Sequence, residues 1–318
     1  MSDVIVVGEA LVDLVVALDG SVEATLGGAP FNTARACGRL DGDVAFVGAI
    51  SDDRFGRALR ARLVDDGVDV GGVVEVEQPT TLAAAGPDEH RAATYRFYLE
   101  GTSAPALGRV APLGPDAGIV YTGGLALVLE PMADAVAAMV AALAGRPAAA
   151  RPIVFVDVNA RPHVIGDRSR YLERLSSVLA GTDVVKVSDD DLAVIAPDVD
   201  ALDAARSLLD RGPSVALLTA GAEEVVVVHR APGADPITER RVPVEPVEVV
   251  DTIGAGDAFG GGVCAWWTVT GRTRADLADP SMVERAVRAG VVVAGITCTR
   301  RGADPPRAAE LPVSLVDI

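Results

Sequence analysis

Apolar runs and amphipathic segments alternate along most of the chain. The β-branched run from Val4 to Gly8 predicts a buried strand, and an alanine-rich helical stretch follows Gly28. From Gly118 to about Thr297, strands and helices alternate in the same way. Because strands separated by helices usually pair in parallel, the pattern predicts an α/β fold, with a mostly parallel central sheet and helices on both faces. Ligands of such folds bind at the carboxyl ends of the strands.

Three stretches add detail to this pattern. Short segments of alternating polarity occupy Val73 to Leu99 without helical periodicity, and they predict a small β-sheet inserted into or laid over a single domain of residues 1–318. A glycine-rich turn is predicted at residues 254–262, together with a helix over about Ala258 to Val269. Residues 44–50 predict one continuous strand.

Composition and charge narrow the class of protein. Half of the 318 residues are apolar, which is enough to form a large core. The chain has no apolar run of about 18 residues and no secretory leader pattern, so we expect a cytoplasmic protein without a membrane partner. The net charge of −17 argues against nucleic acid as a partner, since nucleic-acid binding needs a basic surface.

The cysteines and the lysine add two constraints. Cys37, Cys264 and Cys298 are far apart and lack the paired spacing of zinc sites or disulfide frameworks, so we expect three buried thiols. Lys186 is the only lysine among 28 basic residues. Neither a Walker A loop nor the lysine-bearing third strand of a protein kinase has a full match. A kinase of this sequence must therefore hold phosphate in another way.

The turn at residues 254–257 carries the clearest chemistry. Gly254 and Gly256, with Ala255 between them, allow the backbone to approach a ligand, and the following helix adds about half an elementary charge at its N-terminus. Successive amides there predict an anion hole for a transferring phosphoryl group. Asp257 stands beside it and can accept the proton of a sugar hydroxyl. The same residues in isolation also fit a tight turn and a helix cap.

Separate motifs resemble one known family. Asp-Thr-Ile-Gly-Ala-Gly-Asp at residues 251–257 resembles the C-terminal signature of the ribokinase-like (PfkB) carbohydrate kinases. Residues 27–32, 47–56 and 297–303 match further motifs of that family, so that the resemblance spans nearly the whole chain. It implies a ribokinase-like fold with a β lid formed from about residues 12–26 and 73–100. It also implies ATP and Mg²⁺ as cofactors and a homodimer that pairs through the lid.

Two segments resemble bacterial fructokinases in particular. These are Asp-Val-Asn-Ala-Arg-Pro at residues 157–162 and the acidic segment at 183–192. The resemblance implies transfer of the ATP γ-phosphoryl group to a hydroxyl of a free sugar, with fructose giving fructose 6-phosphate. One alternative is a 2-keto-3-deoxygluconate-type sugar-acid kinase, in which Arg96 or Arg161 binds a substrate carboxylate. The alternative from another class is a non-catalytic member that binds nucleotide or sugar.

The resemblance assigns a role to each matching residue. For catalysis it implies Asp257 as the base and Gly254, Ala255 and Gly256 as the anion hole. For the sugar it implies Asp13, Gly27, Gly28, Asn32, Arg96, Phe97 and Arg161. For the nucleotide it implies Lys186, Ser188, Thr219, Gly221, Cys298 and Gly302. Without the resemblance, Asp13 also fits a solvated loop acid and Asn32 a polar residue of an early helical turn.

Two cation sites are implied in the same way. Ser188 and Asp191 stand where many family members carry Asn and Glu, and these shorter side chains imply that Asp191 holds Mg²⁺ through water. Asp251 and the carbonyl of Ile253 resemble a site for a monovalent cation, which would be K⁺. Pro306 supplies no hydroxyl where some relatives have serine, so the sequence leaves K⁺ dependence open.

Overall fold

The computed structural model describes residues 2–87, 93–231 and 236–318, without the side chains of residues 87 and 93–95. The described residues form fourteen strands and eight α-helices. The strands are β1 (Val4–Val7), β2 (Leu11–Val16), β3 (Val22–Gly27), β4 (Val44–Val47), β5 (Ala49–Ser51), β6 (Val74–Val76), β7 (Leu82–Pro87), β8 (Ala93–Tyr98), β9 (Ile119–Gly123), β10 (Ile153–Asp157), β11 (Val184–Ser188), β12 (Val215–Thr219), β13 (Glu224–His229) and β14 (Thr238–Pro243). The helices are α1 (Ala29–Arg39), α2 (Arg54–Asp65), α3 (Met132–Ala144), α4 (Arg168–Leu179), α5 (Asp189–Ile195), α6 (Ala201–Leu208), α7 (Ala255–Val269) and α8 (Pro280–Cys298).

The main sheet has eight strands among the described residues, in the order β14-β13-β12-β11-β10-β9-β1-β4. The six from β12 to β4 are parallel, and β13 and β14 close one edge in antiparallel pairing. This confirms the predicted mostly parallel sheet. The chain order reverses at β1, which pairs with both β4 and β9. At such a switch point the loops leave in opposite directions and open a crevice at the carboxyl ends of the strands.

Helices cover both faces of this sheet, as predicted. Val4 and Val6 of β1 belong to one buried apolar cluster, and Ile5 and Val7 belong to the other. Burial of β1 on both faces explains why its sequence is a continuous run of apolar residues. Among the described residues, no helix combines the length and the apolar character needed to cross a membrane.

A second, four-stranded sheet has the order β3-β2-β7-β8 and confirms that a small sheet is present. Of the stretch from Val73 to Leu99, β7 and β8 belong to it, whereas β6 instead pairs with β5 in a two-stranded sheet. Asp13 of β2 lies opposite Thr25 of β3 and Ala83 of β7, and Ala83 lies opposite Phe97 of β8. Since directly opposed residues point to the same face, Asp13 and Phe97 share one face and Arg96 lies on the other. Residues 88–92 of the predicted lid range lie outside the described residues.

Two local predictions were wrong because of tertiary contacts. The predicted strand at 44–50 breaks at Gly48, where a Cβ would come within 2.4 Å of the Gly8 carbonyl oxygen. The predicted turn at 254–262 is a turn only as far as Gly254, and the helix predicted from about Ala258 already begins at Ala255. Glycine costs about 1 kcal/mol against alanine inside a helix. Here α7 needs it for close packing, since a Cβ on Gly262 would lie 3.0 Å from the Cα atom of Gly290 in α8.

Candidate active site

The predicted anion hole lies at the N-terminus of α7. Gly254 adopts a left-handed φ of 75° and is the residue that caps this helix. No described side chain caps it, so the first amides of α7 have no side-chain acceptor of their own. A Cβ on Gly254 would lie 2.5 Å from the Ala303 Cβ atom, which shows how closely the segment after Gly302 packs on the turn. The Ala255 amide donates to the Thr252 carbonyl at 3.2 Å. Amides without a side-chain cap at a helix start can bind an anion, so this geometry is compatible with the predicted anion hole.

Asp257 is the third residue of α7 and is only 9% exposed. The side-chain amide Nδ2 of Asn32 in α1 donates to its Oδ2 atom at 2.9 Å. Burial raises the pKa of Asp257 to about 6, and the charge of Asp157 adds to this, whereas the Asn32 bond and the charges of Arg161 and Lys186 lower it. At neutral pH this carboxyl group is therefore mostly ionised and able to accept a proton.

Lys186 lies beside the same turn. A Cβ on Gly256 would lie 3.4 Å from its Nζ atom, so that glycine leaves the ammonium group facing the start of α7. Nζ donates to both carboxylate oxygens of Asp157 at 3.0 Å. Burial opposes the charging of Lys186, but the negative charges of Asp157 and Asp191 outweigh it and raise the pKa of the lysine. The helix start thus has a fixed positive charge next to it.

Asp157 and Tyr121 are residues of this site that the sequence did not assign. The Tyr121 hydroxyl donates to Asp157 Oδ2 at 3.0 Å, and the two side chains come from the neighbouring strands β9 and β10. The available signal was the position of Asp157 at the end of a predicted strand, in the segment 157–162 that carried the resemblance. Nothing in the local sequence of Tyr121 distinguishes it from an ordinary core aromatic residue.

The residues predicted for the sugar meet around the start of α1. A Cβ on Gly27 would lie 2.2 Å from Asp13 Oδ2, so glycine leaves room for this carboxylate in its present position. Gly28 precedes α1 with a φ of 109°, a conformation that favours glycine. Burial raises the pKa of Asp13 to about 6, against the opposing charge of Arg161. The exposed Arg161 also lowers the pKa of Asp257, which places its charge within reach of both carboxylates.

Glu9 is a further carboxylic acid that the sequence did not assign. It follows β1, is 2% exposed, and accepts a bond on Oε1 from the Leu125 amide at 3.4 Å. Its Oε2 atom is buried and has no hydrogen-bond partner among the described residues. Burial raises the pKa of Glu9 to about 7. An acidic residue at the carboxyl end of the first predicted strand was the signal that could have identified it.

The two predicted sugar contacts on β8 separate. Phe97 lies on the same face of the small sheet as Asp13 and packs against one of the buried apolar clusters. Arg96 lies on the opposite face and is exposed. The described residues therefore bring Phe97, but not Arg96, to the side of the sheet that carries Asp13.

The predicted magnesium residue is tightly bound to backbone. Asp191 Oδ2 accepts the Ser188 amide at 2.8 Å, Oδ1 accepts the Ala160 amide at 2.6 Å, and Ser188 Oγ accepts the Asp191 amide at 3.0 Å. No group of three or more His, Cys, Asp or Glu side chains in the described ranges is placed to hold a metal ion. Each carboxylate oxygen has a second lone pair, so these contacts leave room for the predicted bond through water.

The predicted monovalent-cation residue Asp251 contacts the loop of the predicted nucleotide residue Gly302. Its Oδ1 accepts the Ile253 amide at 3.0 Å and its Oδ2 accepts the Gly302 amide at 2.8 Å. The Cys298 carbonyl accepts the Val250 and Asp251 amides. Cys298 is half-buried, whereas Cys37 and Cys264 are buried as expected.

Thr219 is the last residue of β12, and Gly221 follows that strand. Thr219 Oγ1 donates to the Val187 carbonyl at 3.4 Å, which ties the end of β12 to β11. Gly221 is exposed with a φ of 55°. These residues line one continuous edge with Lys186 and Ser188, as parallel neighbours in a sheet must.

Comparisons with known proteins agree with this geometry. The fructokinase of Rhizobium leguminosarum bv. trifolii is 35% identical over 269 residues, which cover 81% of this chain and 77% of that protein. The structure of fructokinase with bound ATP from Xylella fastidiosa matches with a TM-score of 0.84 at 28% identity, covering 95% of this chain and 94% of that one. A fructokinase from Vibrio cholerae O395, in fructose, ADP and calcium ion bound form, matches with a TM-score of 0.80 at 25% identity, over 95% and 94% of the two chains.

The family model of the pfkB family carbohydrate kinases matches residues 1–309, which is nearly the entire sequence. The ribokinase-like fold expected from the motifs is the fold that these solved neighbours share. The chain is therefore a sugar kinase and belongs to the pfkB family of carbohydrate kinases.

Proposed function

We propose that this enzyme is an ATP-dependent fructokinase that converts fructose to fructose 6-phosphate. The observation that carries the proposal is the bond from Asn32 to Asp257, because it joins the helix that begins at the predicted sugar site to the start of the predicted anion hole. The names of the relatives support fructose as the acceptor, and the ATP and ADP in the solved neighbours support ATP as the donor.

The proposed reaction is an in-line transfer. Asp257 accepts the proton of the sugar hydroxyl while that oxygen forms a bond to the γ-phosphorus atom and the bond to the bridging oxygen of ADP breaks. Asn32 orients the Asp257 carboxylate, and the first amides of α7 with the Lys186 ammonium stabilise the negative charge on the phosphoryl oxygens. Mg²⁺ bound to ATP, held by Asp191 through water, would neutralise further phosphate charge.

The sugar side of the site suits a neutral polyol. Asp13 offers a carboxylate that accepts hydroxyl protons, and Gly27 and Gly28 bring bare backbone close to it. The sugar-acid kinase alternative has one supporting observation, which is that the charge of Arg161 lowers the pKa of both Asp13 and Asp257. In the fructokinase proposal, Arg161 instead binds a phosphoryl oxygen or a sugar hydroxyl.

The assembly and setting of the enzyme are also proposals. The sheet β3-β2-β7-β8 would act as a lid over the sugar, since it carries Asp13. Its other face holds Arg96 and the half-exposed Tyr98, and it would pair with the lid of a second subunit. The three unpaired thiols and the use of ATP favour the cytoplasm. A monovalent cation at Asp251 and Ile253 would stiffen the anion hole.

A substrate panel tests the proposal. ADP release would be measured with ATP, Mg²⁺ and one of fructose, ribose, glucose, keto-deoxygluconate or fructose 6-phosphate. We expect fructose to give the highest kcat/KM. A higher kcat/KM with keto-deoxygluconate would mean that the phosphoryl acceptor is a sugar acid and not fructose. If ATP binds and no sugar of the panel raises ADP release above background, the fructokinase proposal is wrong.

The pH profile of kcat/KM tests the assignment of the base. Because burial raises the pKa of Asp257 to about 6, protonation removes the base at higher pH than for an ordinary aspartate. We expect kcat/KM to be level near pH 8 and to fall below pH 6, with a limiting slope of about tenfold per pH unit for protonation of the base and a steeper slope if Asp13 must also be ionised. Burial raises the pKa of Asp13 to about 6 as well. In the Asp13→Asn variant, the plot of log kcat/KM against pH should therefore have a slope of one on its acidic side. Rates that stay level down to pH 5 would contradict the assignment.

A further inference from the structure

The single lysine of the chain has a partner that its predicted role does not require. Lys186 Nζ donates to both oxygens of Asp157 at 3.0 Å, and the two side chains are 7% and 2% exposed. The Tyr121 hydroxyl donates to Asp157 Oδ2, also at 3.0 Å. An ion pair this far removed from water is costly unless its geometry is close to ideal. Such a pair in an active site therefore calls for a functional explanation.

The backbone sets the pair in place. Asp157 and Lys186 are directly opposed in the parallel strands β10 and β11, and the Val158 amide donates to the Lys186 carbonyl at 3.0 Å. On the other side, the Gly260 position of α7 lies against the Tyr121 hydroxyl, where a Cβ would come within 2.9 Å. The group defined by Tyr121, Asp157 and Lys186, here called the lysine clamp, thus lies between the main sheet and the catalytic helix.

The clamp leaves one ammonium proton uncommitted. An ammonium group has three protons, and the two oxygens of Asp157 accept two of them. Nζ also faces Gly256, the second residue of α7, since a Cβ built on Gly256 would lie 3.4 Å from Nζ. The third proton is therefore available on the side of the anion hole. A lysine without Asp157 would have several rotamers to choose from and would reach the phosphate only part of the time.

We propose that Asp157 is a positioning residue for phosphoryl transfer. Together with Tyr121, it holds the Lys186 ammonium against the anion hole, so that the third ammonium proton is donated to an oxygen of the transferred group. The inference rests on the proposed kinase reaction. It assigns substrate contact to Lys186 and an indirect role to Asp157 and Tyr121. It also explains why the one lysine of an arginine-rich chain lies here, because a compact ammonium fits beside Gly256 between two strands.

A double-mutant cycle tests whether Asp157 acts through Lys186. The variants are Lys186→Met, Asp157→Asn and the double variant, with kcat measured on the preferred sugar. We expect Lys186→Met to lower kcat about 10²-fold, as for loss of one donor of an anion hole, and Asp157→Asn to lower it at least tenfold. In the Lys186→Met background, Asp157→Asn should have no further effect. Effects that multiply would overturn the proposal.

The Tyr121→Phe variant keeps the charges of Asp157 and Lys186, and it replaces Asp157→Asn in the test if that variant does not fold. We expect it to lower kcat three- to tenfold in the wild-type background and not at all beside Lys186→Met. The double variant Asp157→Asn/Lys186→Met leaves no unpaired buried charge, so its unfolding temperature should lie close to that of the wild type. A Tyr121→Phe effect of equal size in both backgrounds would contradict the clamp.

Chemical labelling gives a readout that needs no turnover. Because Lys186 is the only lysine, peptide mass spectrometry can follow its acetylation by acetic anhydride apart from other side-chain amines. We expect slow labelling in the wild type, at least tenfold faster labelling in Asp157→Asn, and suppression by ATP. Equal labelling of the two proteins, with no protection by ATP, would overturn the inference. A wild type that phosphorylates no sugar of the panel but shows both labelling effects would overturn only the proposed function.

Discussion

Asp257→Asn lowers kcat with the preferred sugar by at least about 10²-fold, and by up to about 10⁴-fold, which is the range typical of a lost general base. The substitution keeps the shape of the side chain and an oxygen that can accept the Asn32 bond. It removes the basic oxygen that accepts the hydroxyl proton. The KM for ATP should change much less than kcat, because the amides of α7 and Lys186 remain. Steady-state kinetics with the sugar and ATP varied in turn would measure both effects.

The control for this variant is Asp203→Asn. Asp203 is the third residue of α6, as Asp257 is of α7, but it is exposed and pairs with Arg206 of its own helix. Its substitution should leave kcat unchanged, because only an exposed ion pair and the favourable charge at a helix start are lost. Asp257→Asn should unfold at the same or a higher temperature than the wild type, since the raised pKa shows that the buried charge is disfavoured. If Asp257→Asn keeps full activity, the mechanism proposed above is wrong.

The sequence predicted those parts of the protein that local patterns encode. The runs of apolar residues predicted the main sheet, and the alternation after Val73 predicted the small sheet. The turn at Gly254 was predicted because successive amides at a helix start are a local feature. The predicted turn and the predicted helix overlapped at residues 258–262, since whether glycine continues a helix depends on what packs against it. Position 260 of this helix needs glycine because the Tyr121 hydroxyl leaves no room for a side chain there. That contact joins residues far apart in the chain, so the local sequence cannot predict it.

The residues that the sequence missed have a common physical cause. Glu9, Tyr121 and Asp157 lie at or near the ends of β1, β9 and β10, which are adjacent in the sheet but far apart in the chain. A buried carboxylate is stable when a distant strand supplies its partner, as Lys186 does for Asp157. The pairing follows from strand order and register. Periodicity predicts each strand but contains no information on which strand lies beside it.

Electrostatic coupling unites these residues with the predicted ones. The negative charge of Asp157 raises the pKa of Asp257, while the positive charges of Lys186 and Arg161 lower it. Burial alone would favour a neutral carboxyl group, so the cations keep the base ionised at neutral pH. The same cations stabilise phosphate. Binding of the donor and activation of the acceptor thus depend on one shared set of charges in the crevice at the switch point of the sheet.

Gly254→Ala abolishes most of the activity while leaving a folded protein. An alanine at a φ of 75° costs about 1–2 kcal/mol, and its Cβ would lie 2.5 Å from Ala303 Cβ and 2.9 Å from Ala303 Cα. Because the second contact is with backbone, the turn must move, and the amides of α7 then no longer meet the phosphoryl oxygens. We expect kcat to fall about 10²- to 10³-fold, as for loss of an oxyanion donor.

A matched control separates the strain of an alanine at positive φ from the displacement of the turn at Gly254. Gly271 has a φ of 68°, lies just after α7, and has no atom within 4 Å of the position of a Cβ. Gly271→Ala should therefore lose the same 1–2 kcal/mol of folding free energy, about the cost of a left-handed alanine, and keep its kcat. Urea unfolding and steady-state kinetics on both variants would compare the two effects. Activity lost in Gly254→Ala but kept in Gly271→Ala, with a larger stability loss in Gly254→Ala from the Ala303 contacts, would show that the position of the turn, and not its conformation alone, supports phosphoryl transfer. An active Gly254→Ala variant would mean that the anion hole lies elsewhere.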